Sequence, residues 1–173
     1  MRPMGFISRH SIVPAIAAFL VTASLALPAS AWALDDASAR ATLKGIKAIR
    51  LAVAPVKPDI SQDGFTTAQL QTDIEARLKQ AGIPVDPQSG VWLFVAVTTA
   101  KIDKGLYAYS IDLDLYQSVT LARTPSISAS APTWGVGSRV GALDIARLQE
   151  IRSEVVGFVD QFISAYREQN PKK

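Results

Sequence analysis

Apolar residues recur along the chain with two periods, and each period predicts a type of secondary structure. Within residues 46–56, Ile49, Leu51 and Val53 alternate with smaller or polar residues, which indicates a strand with one face in the core. A helix is predicted to begin after Thr66, because Thr66 and Gln69 have the spacing of a capping box and apolar residues follow at helical intervals. Gly82 is a typical residue for the end of such a helix.

Two further runs predict the centre of a sheet. Residues 91–99 are apolar on both faces of a strand, so they indicate a central strand, and we expect Trp92 and Phe94 to lie in the core. Turn residues at 103–105 then predict a hairpin. Residues 109–121 alternate between apolar and polar, which is typical of a strand with one face on the core and one toward water.

The composition changes after this hairpin. Residues 123–141 are rich in serine, proline and glycine, and their three glycines favour a loop. Small apolar residues that alternate around Ile127 allow a weak further strand within this segment. A long helix with an apolar stripe on one face is predicted over residues 143–169.

The predicted order is strand, helix, three strands and helix. An antiparallel sheet with both helices on one face buries these apolar stripes most simply. We therefore predict an α+β two-layer sandwich, with a mostly antiparallel sheet of about four strands, in a single domain over residues 46–169. Residues 34–45 are predicted to form a loose leader or a short helix, and residues 170–173 a tail.

The first 33 residues have the layout of a secretory signal peptide. Arg2 and Arg9 give a positively charged start, residues 12–27 are an apolar run, and residues 31–33 end in the small-x-small pattern of a cleavage site. The alternative is an uncleaved signal-anchor, since residues 12–33 could span a bilayer. Cleavage after Ala33 predicts a periplasmic or secreted bacterial protein with no stable membrane anchor.

Cleavage would change the chemistry that is available to the protein. The only histidine, His10, lies in the signal, and the chain has no cysteine. The mature chain would therefore lack Ser-His-Asp and Cys-His arrangements and the usual zinc ligands, so we expect no catalytic activity, cofactor or metal. Arg2 and Arg9 would leave too, so the net charge of +3 would fall to about +1, which argues against a nucleic-acid partner.

Asp112 and Asp114 are the nearest thing to a pair of catalytic carboxylates. Two residues apart on a strand they share a face, with roughly 6.5–7 Å between their Cα atoms. Such a pair can divide the acid and base roles of a glycoside hydrolase or bind a hard cation. The alternative is that both residues simply lie on the solvent-facing side of the sheet, where polar residues are expected without any ligand.

A second group of residues suggests a contact with a partner protein. Trp, Tyr and Arg dominate binding hot spots, and the group contains Tyr107, Tyr109, Arg123, Trp134 and Arg139. In the alternative interpretation Trp134 packs under the final helix and fixes the loop to the core. Replacing Trp134 by alanine would distinguish the two, because a partner anchor leaves the thermal midpoint nearly unchanged and a core residue does not.

Some local features resemble a group of small exported bacterial proteins of unassigned activity. These features are the capped helix that ends in Ala81-Gly82-Ile83 and the tyrosine-rich hairpin that leads into Leu121-Ala122-Arg123. The order of elements over residues 46–166 is also similar to that of the amino-terminal domain of the Tol-Pal protein TolB and related envelope accessory domains. The resemblance implies a role in protein–protein contact, and no catalytic or cofactor residue is carried over from it.

Together these observations predict a soluble periplasmic accessory or binding protein without enzymatic activity. It would present a sheet edge, or the segment 123–141, to a protein partner in the cell envelope. One alternative is a small-molecule binding protein with a pocket between the sheet and the C-terminal helix. The other alternative is a hydrolase that uses the two carboxylates, which would have to line a concave site.

Overall fold

The architecture is known for residues 34–103 and 105–171, which a computed structural model describes. The predicted signal peptide and the last two residues of the predicted tail lie outside the described residues. The elements, in chain order, are α1 (Ala37–Ala41), β1 (Arg50–Val53), α2 (Pro58–Gln62), α3 (Thr67–Ala81), β2 (Trp92–Asp103), β3 (Leu106–Leu121), β4 (Thr124–Asp144), a 3-10 turn (Ile145–Arg147) and α4 (Gln149–Gln169).

The four described strands form one sheet in the order β1-β2-β3-β4. β1 is parallel to β2, while β2, β3 and β4 follow one another antiparallel. Helix α3 packs against β1 and α4, and α4 packs against β3 and β4. The predicted α+β class, with a mostly antiparallel sheet of four strands, is confirmed.

Helix α3 forms for the local reason that the sequence indicates. The Thr66 hydroxyl accepts a hydrogen bond from the Gln69 backbone N–H at 3.3 Å, and the Gln69 side chain accepts from the Thr66 N–H at 2.9 Å. The helix ends at Gly82, whose φ of 74° is the left-handed conformation that glycine adopts most easily. Its buried residues form one stripe toward the core: Leu70, Ile74, Leu78 and Ala81.

The two ends of the described chain are joined to each other. In the predicted leader, which forms α1, Arg40 makes an ion pair with Glu168 of α4 at 2.6 Å. Asn170 accepts a hydrogen bond from the Gly45 N–H at 2.7 Å and donates one to the Leu43 carbonyl at 2.9 Å. Leu43 is itself buried in the core, so the segment before β1 is part of the folded unit.

Residues 124–144 form a long strand, so the prediction of a loop over most of this segment is wrong. The weak strand that was predicted around Ile127 is one part of it. Two of the three glycines that suggest a loop, Gly135 and Gly141, instead leave space for side chains of β3. A Cβ atom at Gly135 would collide with the carboxylate of Asp114, and one at Gly141 would lie 2.6 Å from the hydroxyl of Tyr109. Because β4 continues to Asp144, the last helix begins later than predicted.

Trp92 and Phe94 are half-exposed, and the prediction that they belong to the core is wrong. Leu93, Val95 and Val97 of β2 point into the core, so their neighbours must point to the opposite face of the sheet. The long helices pack on the core side only. One face of the sheet is therefore covered by the long helices. We call the other face, on which Trp92 and Phe94 lie, the open face.

Thr99 offers a test of the packing beneath β2. Its side chain is buried on the core face, and its hydroxyl has no hydrogen-bond partner among the described residues. Thr99→Val has nearly the same shape and removes the unsatisfied group, so we expect it to raise the free energy of unfolding by about 1–2 kcal/mol. Urea denaturation measures this change.

The matched control is Thr98→Val, since Thr98 is the exposed neighbour of Thr99 on the same strand. A surface change of this kind should alter the free energy of unfolding by less than about 0.5 kcal/mol. A loss of stability in Thr99→Val would mean that the hydroxyl has a partner after all.

Candidate binding surfaces

Trp134 is fully buried, and the prediction that it contacts a partner is wrong. Its ring centroid lies 5.5 Å from that of Phe162 on α4. Its indole N–H donates to the Asp35 carboxylate at 2.7 Å, and Arg40 holds the same carboxylate at 2.8 Å. Trp134 therefore packs under the final helix, as the alternative interpretation has it, and fixes the segment before β1 to the sheet.

Tyr107 is also fully buried and is not available to a partner. Its hydroxyl donates to the Asp63 carboxylate at 2.7 Å, and the Lys101 ammonium lies 3.6 Å from the same carboxylate. The hydrogen bond to Asp63 raises the pKa of Tyr107 above its ordinary value, because the neutral phenol is the donor. This tyrosine connects β3 to the segment after α2.

Tyr109 and Arg139 meet at one carboxylate on the core side of the sheet. The Tyr109 hydroxyl donates to Glu154 of α4 at 3.0 Å, and Arg139 makes an ion pair with Glu154 at 3.0 Å. Burial raises the pKa of Tyr109, and the hydrogen bond to Glu154 raises it further. Tyr109 is thus a structural contact between sheet and helix, whereas the Arg139 side chain stays largely exposed.

Arg123, the remaining predicted contact residue, lies in the turn at the end of a projecting hairpin. Tyr116 is the last residue of β3 that pairs with β2, and β3 then continues with β4 alone. We call this two-stranded extension, residues 117–131, the arm. Its β4 side chains are exposed from residue 125 to residue 130, and Ile127 keeps 50% of its surface open.

β4 has one neighbouring strand, so its outer edge presents unpaired backbone groups. Among the described residues, one backbone group bonds to this edge: the Leu34 carbonyl accepts from the Gly135 N–H at 3.1 Å. From Thr124 to Ser138 the strand contains no charged residue. Pro125 and Pro132 have no backbone N–H group. Every residue between them, 126–131, has one.

On the open face, three rings from two strands form what we call the aromatic cluster: Trp92, Phe94 and Tyr116. The ring centroids of Trp92 and Tyr116 are 4.7 Å apart, and Phe94 lies 6.0 and 6.1 Å from them. The guanidinium of Arg50 sits 5.2 Å from the centre of the Trp92 ring. The sequence pattern gives no sign of this cluster, because the pairing of β2 with β3 and β1 creates it.

Asp112 and Asp114 lie beside the aromatic cluster, also on the open face. Asp114 is opposite Phe94 in the strand register, and Asp112 accepts a hydrogen bond from Ser138. Within the described residues Asp114 makes no ion pair. Burial raises the pKa of Asp114, and the nearby charge of Asp112 raises it further. The pair lies on a sheet surface and not in a cleft between the layers, which argues against the hydrolase.

The pKa of Asp114 predicts a dependence of stability on pH. Because the pKa is raised, the folded protein holds the proton more readily than the unfolded chain does. Stability should therefore fall as the pH rises from the ordinary aspartate pKa through the raised value. Asp114→Asn removes this titration, so we expect the variant to be more stable than the wild type at pH 7 and similar to it in acid.

Thermal unfolding of wild type and Asp114→Asn between pH 3 and pH 8 measures this difference. Ser110→Asn changes another half-buried position on the open face without removing a titrating group, and it should leave the shape of the pH profile unchanged. A stability difference that grew toward low pH would contradict the sign of the pKa shift.

The space between the sheet and α4 is filled by side chains. Tyr107, Trp134 and Phe162 are among the largest fully buried residues of the core. A groove of about 600 Å³ lies elsewhere, beside the end of α3 and the segment from Ile83 to Pro87. This packing argues against the predicted small-molecule pocket between the sheet and the C-terminal helix.

Comparison with known proteins adds little to this geometry. Neither protein-family models nor curated proteins gave a match. Among solved structures the chain is similar to a minor lipoprotein from Acinetobacter baumannii, with 9% identity and a TM-score of 0.25, over 70% of this chain and 92% of that chain. A similarity at this level says nothing about function.

The helices were also compared with the length and hydropathy that a bilayer requires. None of those between residues 34 and 171 is both long enough and apolar enough to cross a membrane.

Proposed function

We propose that this protein is a non-catalytic binding protein of the bacterial cell envelope that takes up an extended segment of a partner protein along the outer edge of β4. The observation that supports the proposal is the edge itself, which is long, uncharged from Thr124 to Ser138 and exposed along the arm. The location rests on the signal-like sequence of the first 33 residues.

Natural sheets usually protect their edges, because an unpaired strand invites another chain to add to it. Short edge strands, charged side chains and covering segments are the common protections. β4 spans 21 residues, and among the residues described the segment before β1 bonds to its backbone at Thr133 and Gly135, which both lie outside the arm. The β4 strand of the arm lacks the charged side chains that commonly prevent another strand from adding to an edge.

The contact at Gly135 is an example of the backbone bonding that we propose for a partner segment. Leu34 reaches the edge, and its carbonyl accepts a hydrogen bond from the Gly135 N–H of the strand. A partner that added to residues 126–131 would make bonds of the same kind, and it would gain affinity from backbone groups. Prolines at both ends of this stretch limit how far such pairing extends, and Ile127 offers an apolar side chain for specificity.

Shortening the arm tests the proposal. Ser118 and Ser130 are paired across the hairpin, so Asn-Gly can replace residues 119–129 as a two-residue turn. A photo-crosslinking amino acid at position 130 is present in both forms, which are expressed in the native envelope. We expect the full arm to capture a defined partner and the short arm to capture at least tenfold less of it.

Two controls make the outcome decisive. The same crosslinker at Gln71, which is exposed on α3, should not capture that partner. The thermal midpoint of the short form should stay close to that of the wild type, because the arm lies outside the core. Equal capture by both forms would exclude the arm as the docking site.

A further inference from the structure

The open face of the sheet has the features of a second binding site, at a distance from the outer edge of β4. The aromatic cluster is partly exposed there, and aromatic side chains supply much of the apolar contact area at binding sites. The long helices pack on the other face of the sheet, so within the described chain this apolar surface stays open to solvent. Its rings are held together across β2 and β3 by edge-on and tilted contacts.

These rings already hold a cation of the chain itself. The guanidinium of Arg50 lies over the Trp92 ring at 5.2 Å from its centre, which is a cation–π distance. Arg50 comes from β1, on one side of the cluster. Phe94 and Tyr116 make no such contact with a lysine or an arginine among the described residues.

The opposite side of the cluster carries two carboxylates that form no ion pair with any of the described residues. Asp114 faces Phe94 in the strand register, and Asp112 is two residues away on the same strand and face. The chain also makes room for Asp114, since any side chain at Gly135 would collide with its carboxylate.

We propose that the open face binds a lysine or arginine side chain of an extended basic segment of a partner polypeptide. The cation would lie against Phe94 and Tyr116 and donate hydrogen bonds to Asp114. Aromatic rings attract a cation through their faces, and a half-buried carboxylate gains most from a charged donor. The aliphatic part of the same side chain would cover the apolar surface of the cluster.

The test uses the protein as exported, with acetyl-Gly-Arg-Gly-Arg-Gly-amide as the probe. Nuclear magnetic resonance follows the indole N–H signals of Trp92 and Trp134 during the titration. Trp92 lies in the cluster and Trp134 is fully buried, so the second indole is an internal control. We expect the Trp92 signal to shift and saturate, the Trp134 signal to stay, and the affinity to fall as salt is added.

Two variants separate the carboxylate from a general charge effect. Asp114→Asn should weaken the affinity for the probe about tenfold, as expected for the loss of one charge-assisted hydrogen bond. Glu75→Gln removes one negative charge from the exposed side of α3 and should leave the affinity unchanged. Asp114→Asn is also expected to be the more stable protein at pH 7, so weaker binding would not reflect unfolding.

Three results would overturn this proposal. The Trp92 signal does not move, or Asp114→Asn binds the probe as tightly as the wild type does, or an oligomer of N-acetylglucosamine moves the Trp92 signal more than the arginine peptide does. The last result would assign the face to a glycan. The form with the short arm should bind the probe like the wild type, so failure of the edge proposal and failure of this one are distinguishable.

Discussion

Trp134→Ala is expected to lower the free energy of unfolding by about 3–5 kcal/mol, the usual cost of removing a large buried aromatic side chain. The ring is fully buried against Phe162, so its loss leaves a cavity between β4 and α4. The Asp35 carboxylate also loses the indole N–H and keeps Arg40. Domains of this size are stable by about 5–15 kcal/mol, so a loss of this size should lower the thermal midpoint clearly.

Urea denaturation followed by circular dichroism measures this loss. Trp92→Ala is the matched control, because Trp92 is the half-exposed tryptophan of the open face and should cost only about 1–2 kcal/mol. Trp134→Phe keeps an aromatic ring in the core and should fall between the two. An unchanged midpoint in Trp134→Ala would restore the interpretation of this residue as a partner anchor.

The second large effect is expected at Gly141. An alanine there would place its Cβ within 2.6–2.8 Å of the hydroxyl and two ring carbons of Tyr109. That ring is buried and its hydroxyl is bonded to Glu154, so it cannot move without breaking the contact between sheet and helix. We expect Gly141→Ala to lower the free energy of unfolding by about 2–3 kcal/mol.

Gly157→Ala is the control, and we expect it to raise the free energy of unfolding instead of lowering it. Gly157 is exposed in the middle of α4, and a Cβ there meets no atom within 4 Å. Alanine favours the helix more than glycine does, so the variant should gain about 0.5–1 kcal/mol. If both alanine variants changed stability alike, the packing of Tyr109 on Gly141 would not be the cause.

The elements that the sequence predicts well are those with local causes. The capping box of α3 involves residues three positions apart, and the alternation of β3 is visible within the strand itself. Such patterns require no knowledge of the rest of the fold. The α+β class follows from them directly, whereas the short helix α2 does not.

β4 could not be predicted in the same way, since its glycines are explained by residues of another strand. Gly135 and Gly141 suggest a loop until the side chains of Asp114 and Tyr109 are placed against them. The faces of β2 present a similar problem. Whether Trp92 is buried depends on whether any helix is left to cover its side of the sheet, and this is a property of the whole chain.

The candidate contact residues show how far composition can mislead about a site. Tyr107, Tyr109 and Trp134 have the residue types of a hot spot, but each gives its polar atom to a carboxylate distant in sequence. Arg123 and Arg139 keep exposed side chains. The aromatic cluster and the contact of Arg50 with it can be recognised only when the strand register is known.

The joined ends of the chain have a consequence for the timing of folding. Arg40 and Gly45 find their partners in Glu168 and Asn170, which are synthesised more than 120 residues later and would cross the membrane later. If residues 1–33 direct export, the segment behind them emerges first and must wait for α4 before its contacts can form. The segment before β1 would then remain accessible to envelope chaperones and proteases until α4 has crossed the membrane.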